Sequence, residues 1–212
     1  MVITNKRSVI SLYSGSQDAF SHQIRIVLEE KGVAFDIMDV DSSMRAKEEV
    51  AECNPYGSVP TLIDRDLVLY KPEIITEYID ERFPHPPLLP VYPVLKARSR
   101  LMIYRISNDW YSLMDKILSP GVLEMNKQKF RQELKDSLLS ASPIFAENVY
   151  FLSEEFSLID CWLAPLLWRL PMMGIDVVSE SNSIAAYQSK IFARQSFRAS
   201  LTDAEKSISQ LA

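Results

Sequence analysis

Five of the twelve prolines in this 212-residue chain fall within ten residues: Pro84, Pro86, Pro87, Pro90 and Pro93. Proline fixes φ and carries no amide donor, so neither a helix interior nor a central strand can run through such a segment. The chain is therefore read as two parts. Before the cluster, short apolar runs alternate with helical patterns; after it, helical periodicity persists with no sustained period-2 run. The expected organisation is an α/β unit over 1–83, a Pro-rich linker over 84–93 and an all-α unit over 94–212.

In the first part, Ser8-Val9-Ile10-Ser11-Leu12-Tyr13 reads as a buried strand and Ser14-Gly15-Ser16 as the turn after it. A helix with Phe20, Ile24, Val27 and Leu28 on one face follows, and Lys31-Gly32 supplies a basic last turn and a glycine stop. Phe35 to Val40 suggests a second strand, and Met44 to Glu52 a polar helix ended by Asn54-Pro55. Val59-Pro60-Thr61-Leu62-Ile63 and Leu67-Val68-Leu69-Tyr70 are joined by three residues, which only antiparallel neighbours permit. Pro72 opens a helix with Ile74, Ile75, Tyr78 and Ile79 on its apolar face. The order is βαβ, then ββα.

In the second part, Met102, Ile106, Trp110, Leu113 and Ile117 make one apolar stripe along a long helix. Ile103, Tyr111, Met114 and Leu118 make a second, so this helix is expected to touch two partners, one of them another subunit. Ser157-Leu158-Ile159-Asp160 has the form of a capping box opening an apolar run through Leu170, the expected buried centre, with a kink expected at Pro165.

Charge and composition narrow the function. Against 23 Lys and Arg stand 28 Asp and Glu, a net charge of −5, which disfavours direct nucleic-acid binding. No apolar run approaches the length of a membrane span and Met1 to Lys6 leads into no signal-peptide stretch, so a cytoplasmic location is expected. Cys53 and Cys161, with two histidines, offer neither a Cys-x-x-Cys pair nor metal-ligand spacing. No metal or cofactor is expected, and Cys53 reads as a spacer before Asn54-Pro55 rather than a reactive thiol.

A βαβ–ββα unit with Val59-Pro60 opening its third strand, a Pro-rich linker and a helical half centred on a Ser-x-x-Asp-capped helix resembles the glutathione transferase fold along the whole chain. Within that superfamily, Phe83-Pro84-His85-Pro86-Pro87 and Leu89-Pro90-Val91-Tyr92-Pro93 resemble the stringent starvation protein A family of bacterial RNA polymerase-associated transcription regulators. Asn5-Lys6-Arg7-Ser8, Ser21-His22-Gln23 with Arg25 to Leu28, and Ala164-Pro165-Leu166-Leu167-Trp168-Arg169-Leu170-Pro171 extend the resemblance. It implies an N-terminal thioredoxin-like domain, a C-terminal helical bundle domain, a homodimer and a cis bond before Pro60.

A transferase needs a hydroxyl or thiol after the first strand to favour the glutathione thiolate. Tyr13, Ser14 and Ser16 are the candidates, against the alternative that Ser14 or Ser16 only caps the helix or fills its turn. Superfamily members also place an acid followed by Ser at the start of the helix after the hairpin, to hold the γ-glutamyl end. Lys71-Pro72 stands there instead, a cation where the ammonium would bind and a ring without a donor where the carboxylate would. A charge-assisted hydrogen bond contributes about 1.5–3 kcal/mol, so losing two costs about 3 kcal/mol or more, over a hundredfold in affinity. Lys71 either takes another anion or lies solvated.

The linker admits two readings on its own physics: a rigid epitope already short of conformational entropy, with His85 and Tyr92 as contact side chains, or an interdomain strap. The resemblance favours the first, since Pro84, His85, Pro86 and Pro87 match the family's polymerase-contacting loop residue by residue, with Tyr92 beside it. The expected protein is a non-enzymatic regulator that contacts RNA polymerase or its sigma factor. The rivals are a glutathione-dependent transferase or peroxidase using Ser14 or Ser16, and an inert scaffold.

Overall fold

The computed structural model describes residues 9–208, so Asn5-Lys6-Arg7-Ser8 and the N-terminal edge of the predicted first strand lie outside the described residues. The chain divides into two compact units at Pro86–Pro87, inside the proline cluster, and the segment Ala199–Glu205 belongs with the first unit although it lies at the far end of the sequence.

The first unit holds a four-stranded sheet in the order β2-β1-β3-β4, built from β1 (Ile10–Ser14), β2 (Phe35–Asp39), β3 (Thr61–Asp64) and β4 (Leu67–Tyr70). β1 runs parallel to β2 and antiparallel to β3, with Leu12 opposite Ile37 and Leu62, and β3 pairs antiparallel with β4. Side chains alternate across the sheet. Tyr13 joins Val40, Ala46 and Val50 in a core cluster beneath α2 (Met44–Cys53), with Met38, Val59 and Ile63 against it. Alternation leaves Leu12 and Leu62 for the face covered by α1 (Ala19–Glu30) and α3 (Pro72–Arg82), which pack on each other.

Two local expectations need correction. α3 buries Ile75, Thr76, Ile79 and Asp80, while Ile74 is 56% exposed. The sheet-facing stripe follows i, i+1, i+4, i+5 from Ile75, and Ile74 falls one position outside it. Lys31, expected as a basic residue of the α1 end, caps that helix with its backbone while its side chain is buried against α3 through Asp80.

The second unit contains α4 (Pro93–Arg105), α5 (Ser112–Leu118), α6 (Glu124–Ser140), α7 (Ser142–Glu147), α8 (Leu158–Arg169) and α9 (Asn182–Phe192). α10 (Gln195–Ser200) and α11 (Asp203–Ile208) follow. The predicted long helix is continuous in path, but a π-helical segment, Ile106–Tyr111, joins α4 to α5. Both of its stripes are buried within this one chain: Ile106, Trp110, Leu113 and Ile117 on the first, Ile103, Tyr111 and Met114 on the second. Tyr111, the last residue of the π segment, is buried, and its hydroxyl donates to the Trp162 carbonyl at 2.7 Å. The second stripe therefore offers no subunit contact except at Leu118; the face left open on α4 carries Val94, Leu101 and Tyr104.

α8 is the buried centre and runs unbroken through Pro165. Its capping box is formed as read: Ser157 Oγ accepts from Ile159 N, and Asp160 Oδ2 accepts from Ser157 N at 2.8 Å. Asp160 also accepts from Phe151 N and from the Tyr187 hydroxyl, so one carboxylate ties the helix start to the preceding loop and to α9.

Candidate functional site

The β1–α1 turn, where a transferase would hold the glutathione sulfur, has no free hydroxyl among its three candidates. Ser14 is buried; its Oγ donates to the Gly15 carbonyl and accepts from Arg25 Nη1. Ser16 donates twice to Asp41 Oδ2, from its amide at 2.7 Å and from its hydroxyl at 2.8 Å. Tyr13 donates to Glu49 Oε2 at 2.8 Å, and burial together with that carboxylate pushes its phenol up to about 12. Neither serine caps α1, because Asp18 does so by accepting from Ser21 N at 2.6 Å. Ser14 and Ser16 fill the turn.

The electrostatics of the turn also work against a thiolate. The two Ser16 donors hold the Asp41 carboxyl below its ordinary value, so it is ionised near neutrality. A sulfur anion brought to Ser16 would face that like charge. The turn is close-packed besides: a Cβ on Gly15 would lie 2.8 Å from Asp18 Cβ and 3.5 Å from Val59 Cγ2. The structure thus brings Val59, which precedes the cis bond to Pro60, against this turn.

At the start of α3, Lys71 sits at φ 74° with no side-chain cap and Pro72 occupies the first helical turn. Ile74 and Ile75 amides donate to the Lys71 carbonyl, and no acid–Ser pair is present to hold an amino-acid end. Lys71 is exposed, but it is not simply solvated: its ammonium lies 5.2 Å from the centre of the Tyr56 ring, which meets Tyr70 edge-on at 5.5 Å. Cys53, next to this loop, is half-buried and donates weakly to the Val50 carbonyl, and burial raises its thiol above the ordinary value. That environment makes it a poor nucleophile.

In the linker, Pro84, His85, Pro86 and Pro87 are all exposed, with a cis bond between His85 and Pro86. Leu88 and Leu89 turn inward, and Leu158 N, the first amide of α8, donates to the Leu88 carbonyl at 2.8 Å. Tyr92 is 73% exposed at the entrance to α4. Within the second unit, Pro87, Pro90 and Tyr92 line a shallow groove of about 280 Å³ with Glu155 and Phe156. A separate cleft of about 580 Å³ lies between the end of α8 and α9, lined by Trp168, Asp176 and Phe192 among others; it contains none of the candidate glutathione-site or linker residues, although Leu167, Trp168, Leu170 and Pro171 belong to the motif that carries the family resemblance.

Residues 8–81 match the glutathione S-transferase N-terminal domain. The chain is 48% identical to a protein of Coxiella burnetii named stringent starvation protein A homolog, over 97% of this chain and 98% of that one. It belongs to the stringent starvation protein A family. A second such homolog, from Haemophilus ducreyi, is 47% identical over 94% and 93% of the two chains. Among solved structures, a bacterial glutathione transferase, BphK, superimposes with a TM-score of 0.82 over 92% of this chain and 99% of that one at 24% identity. A glutathione transferase from Methylobacillus flagellatus with glutathione bound gives 0.79 over 91% and 98% at 21% identity. At these identities the likeness establishes the fold: a glutathione transferase-like thioredoxin-type domain followed by a helical domain.

In this member of the stringent starvation protein A family, the residues that decide the state of the turn lie outside the motifs that sequence reasoning singled out as sites. Arg25 on α1 donates to Ser14 Oγ, to the Ser200 carbonyl at 2.8 Å and to Glu205 Oε2 at 2.6 Å. His22 Nε2 lies 3.0 Å from Ser200 Oγ, and Thr202 Oγ1 donates to the Ser16 carbonyl at 2.6 Å. The available signal was compositional: His22, Gln23 and Arg25 interrupt a helix whose residues 21–28 are otherwise apolar or small, and all eight are buried.

Proposed function

We propose that the protein is an RNA polymerase-associated transcription regulator of the starvation or stress response, acting in the cytosol by protein–protein contact and without glutathione transferase chemistry. One observation carries the reading: Pro84-His85-Pro86-Pro87, which matches the family's polymerase-contacting loop residue for residue, stands exposed, as does Tyr92. Val59, Pro60, Lys71 and Pro72, with Ser14 and Ser16, are then a remnant glutathione site. The absence of catalysis is supported by the engagement of every turn hydroxyl and by Lys71-Pro72 in place of an acid–Ser pair.

The net charge of −5 favours a basic surface of polymerase or its sigma factor as the partner over nucleic acid. A homodimer is part of the same reading, with the open α4 face of Val94, Leu101 and Tyr104 as the contact. The test is recovery of polymerase subunits on tagged wild-type protein and their loss on a His85→Ala, Pro86→Ala, Pro87→Ala variant. Turnover of a generic electrophile with glutathione, abolished by Ser14→Ala or Ser16→Ala, would overturn the proposal in favour of an enzyme.

A further inference from the structure

A segment made of Pro84, Pro86, Pro87 and Pro90 lacks four amide donors, so its anchorage has to come largely through its carbonyl oxygens. Within the first unit, the Pro86 carbonyl accepts a hydrogen bond from Lys31 Nζ. The same ammonium donates to Asp80 Oδ1 at 2.6 Å, and the Lys31 side chain is fully shielded from solvent while Asp80 is 8% exposed. A lysine just past a helix end ordinarily leaves its ammonium in water near the last carbonyls. Here Gly32 takes φ +60°, the chain turns away, and Lys31 is directed beneath the linker instead.

Burying an ammonium is costly unless its donors are matched. Asp80 matches the charge and leaves two protons on the nitrogen; one of them finds the Pro86 carbonyl. A pair serving only to join α1 to α3 would need Asp80 alone. The additional bond reaches the residue that directly follows His85.

We propose that Lys31 is a positioning residue for the Pro84–Pro87 surface. Its ammonium, oriented by Asp80, holds the Pro86 carbonyl and so sets the direction in which His85 and Pro87 are presented to a partner. This inference rests on the reading that the loop docks on polymerase, and it adds the buried group that makes the loop competent.

The test uses the full chain with Lys31→Met combined with Asp80→Leu, which removes both charges while preserving apolar volume, and with Lys31→Gln alone as a second variant that leaves Asp80 in place. Circular dichroism and thermal unfolding establish which variants fold. The chain has two histidines, His22 and His85, so NMR of histidine-labelled protein reports the loop directly. In the folded variants the His85 ring resonance is expected to shift or broaden while that of His22 stays in place, and polymerase capture is expected to fall about tenfold, the effect of about 1.4 kcal/mol. An unchanged His85 resonance, or unchanged capture despite a shifted one, would overturn the role of Lys31. If Lys31 variants bind normally while the His85→Ala, Pro86→Ala, Pro87→Ala variant does not, this inference fails and the docking function stands. If the loop variant itself retains polymerase, the docking function fails, and the positioning claim fails with it as a claim about partners.

Discussion

Arg25 and Glu205, 180 residues apart in sequence, form an ion pair of 2.6 Å with both side chains sealed from solvent. Through Arg25 the pair reaches the Ser14 hydroxyl, and through Thr202, whose amide donates to Glu205 at 3.0 Å, it reaches the Ser16 carbonyl. The turn that would be catalytic in a transferase is thus a structural junction in this chain.

Removing one partner of that pair leaves the other charged and buried, a change that costs about 3–5 kcal/mol. Glu205→Ala is expected to lower the urea-unfolding free energy by an amount in that range. Arg25→Met with Glu205→Met should destabilise less than the two single changes added together. A Glu205→Ala protein as stable as wild type would show that the pair contributes nothing.

Glutathione affinity is expected to respond to the start of α3 while catalysis does not. Lys71→Glu with Pro72→Ser restores an acid and a hydroxyl and amide donor, worth two charge-assisted bonds or about 3 kcal/mol, roughly a hundredfold in affinity. Calorimetric titration should detect that gain. Conjugation of a generic electrophile should stay at background, because Ser14 remains tied to Arg25 and Ser16 to Asp41. Turnover appearing with affinity would count against the view that the turn is inert.

Acid sensitivity should report the Ser16–Asp41 contact. The Ser16 amide and hydroxyl hold the Asp41 carboxyl below the ordinary carboxylate range in the folded chain. A depressed folded value means that the contact contributes stability above the unfolded value, about pH 4, and loses it as the pH falls through the folded one. The stability gap between wild type and Asp41→Asn should therefore be constant near neutrality and shrink below about pH 4. An NMR titration placing Asp41 at or above the ordinary carboxylate value would refute this assignment.

Association should depend on α4. Leu101 is 61% exposed and Tyr104 63%, three residues apart on one helical face. Leu101→Arg with Tyr104→Glu is expected to convert a dimer at micromolar concentration into a monomer in sedimentation velocity, with the unfolding midpoint of the monomer little changed. A wild-type monomer at that concentration would remove dimerisation from the proposed function.

Much of what depends on neighbours within a few residues was legible from the chain alone. Short apolar runs bounded by turn residues located β1 to β4, period-3.6 runs located the principal helices, and Ser157 and Asp160 announced the start of α8; the split between the two units falls at Pro86–Pro87, inside the proline cluster. The change of donor chemistry on which the proposed remnant pocket rests, Lys71-Pro72 in place of an acid–Ser pair, stands at one place in the sequence. Tertiary structure alone decided which polar groups were used up. Lys31 reads as a basic residue of a helix end until Asp80 and Pro86 are folded against it, and Ser14 reads as a candidate hydroxyl for the glutathione thiolate until Arg25 claims it. Ile74 likewise looked like core until a one-residue offset left it exposed, and the two-striped long helix looked as if it met another subunit until both stripes were buried within this chain. The physical reason is the same in each case: burial and pairing depend on residues brought together over tens to hundreds of positions, and no local periodicity encodes which distant carboxylate or carbonyl will meet a given cation.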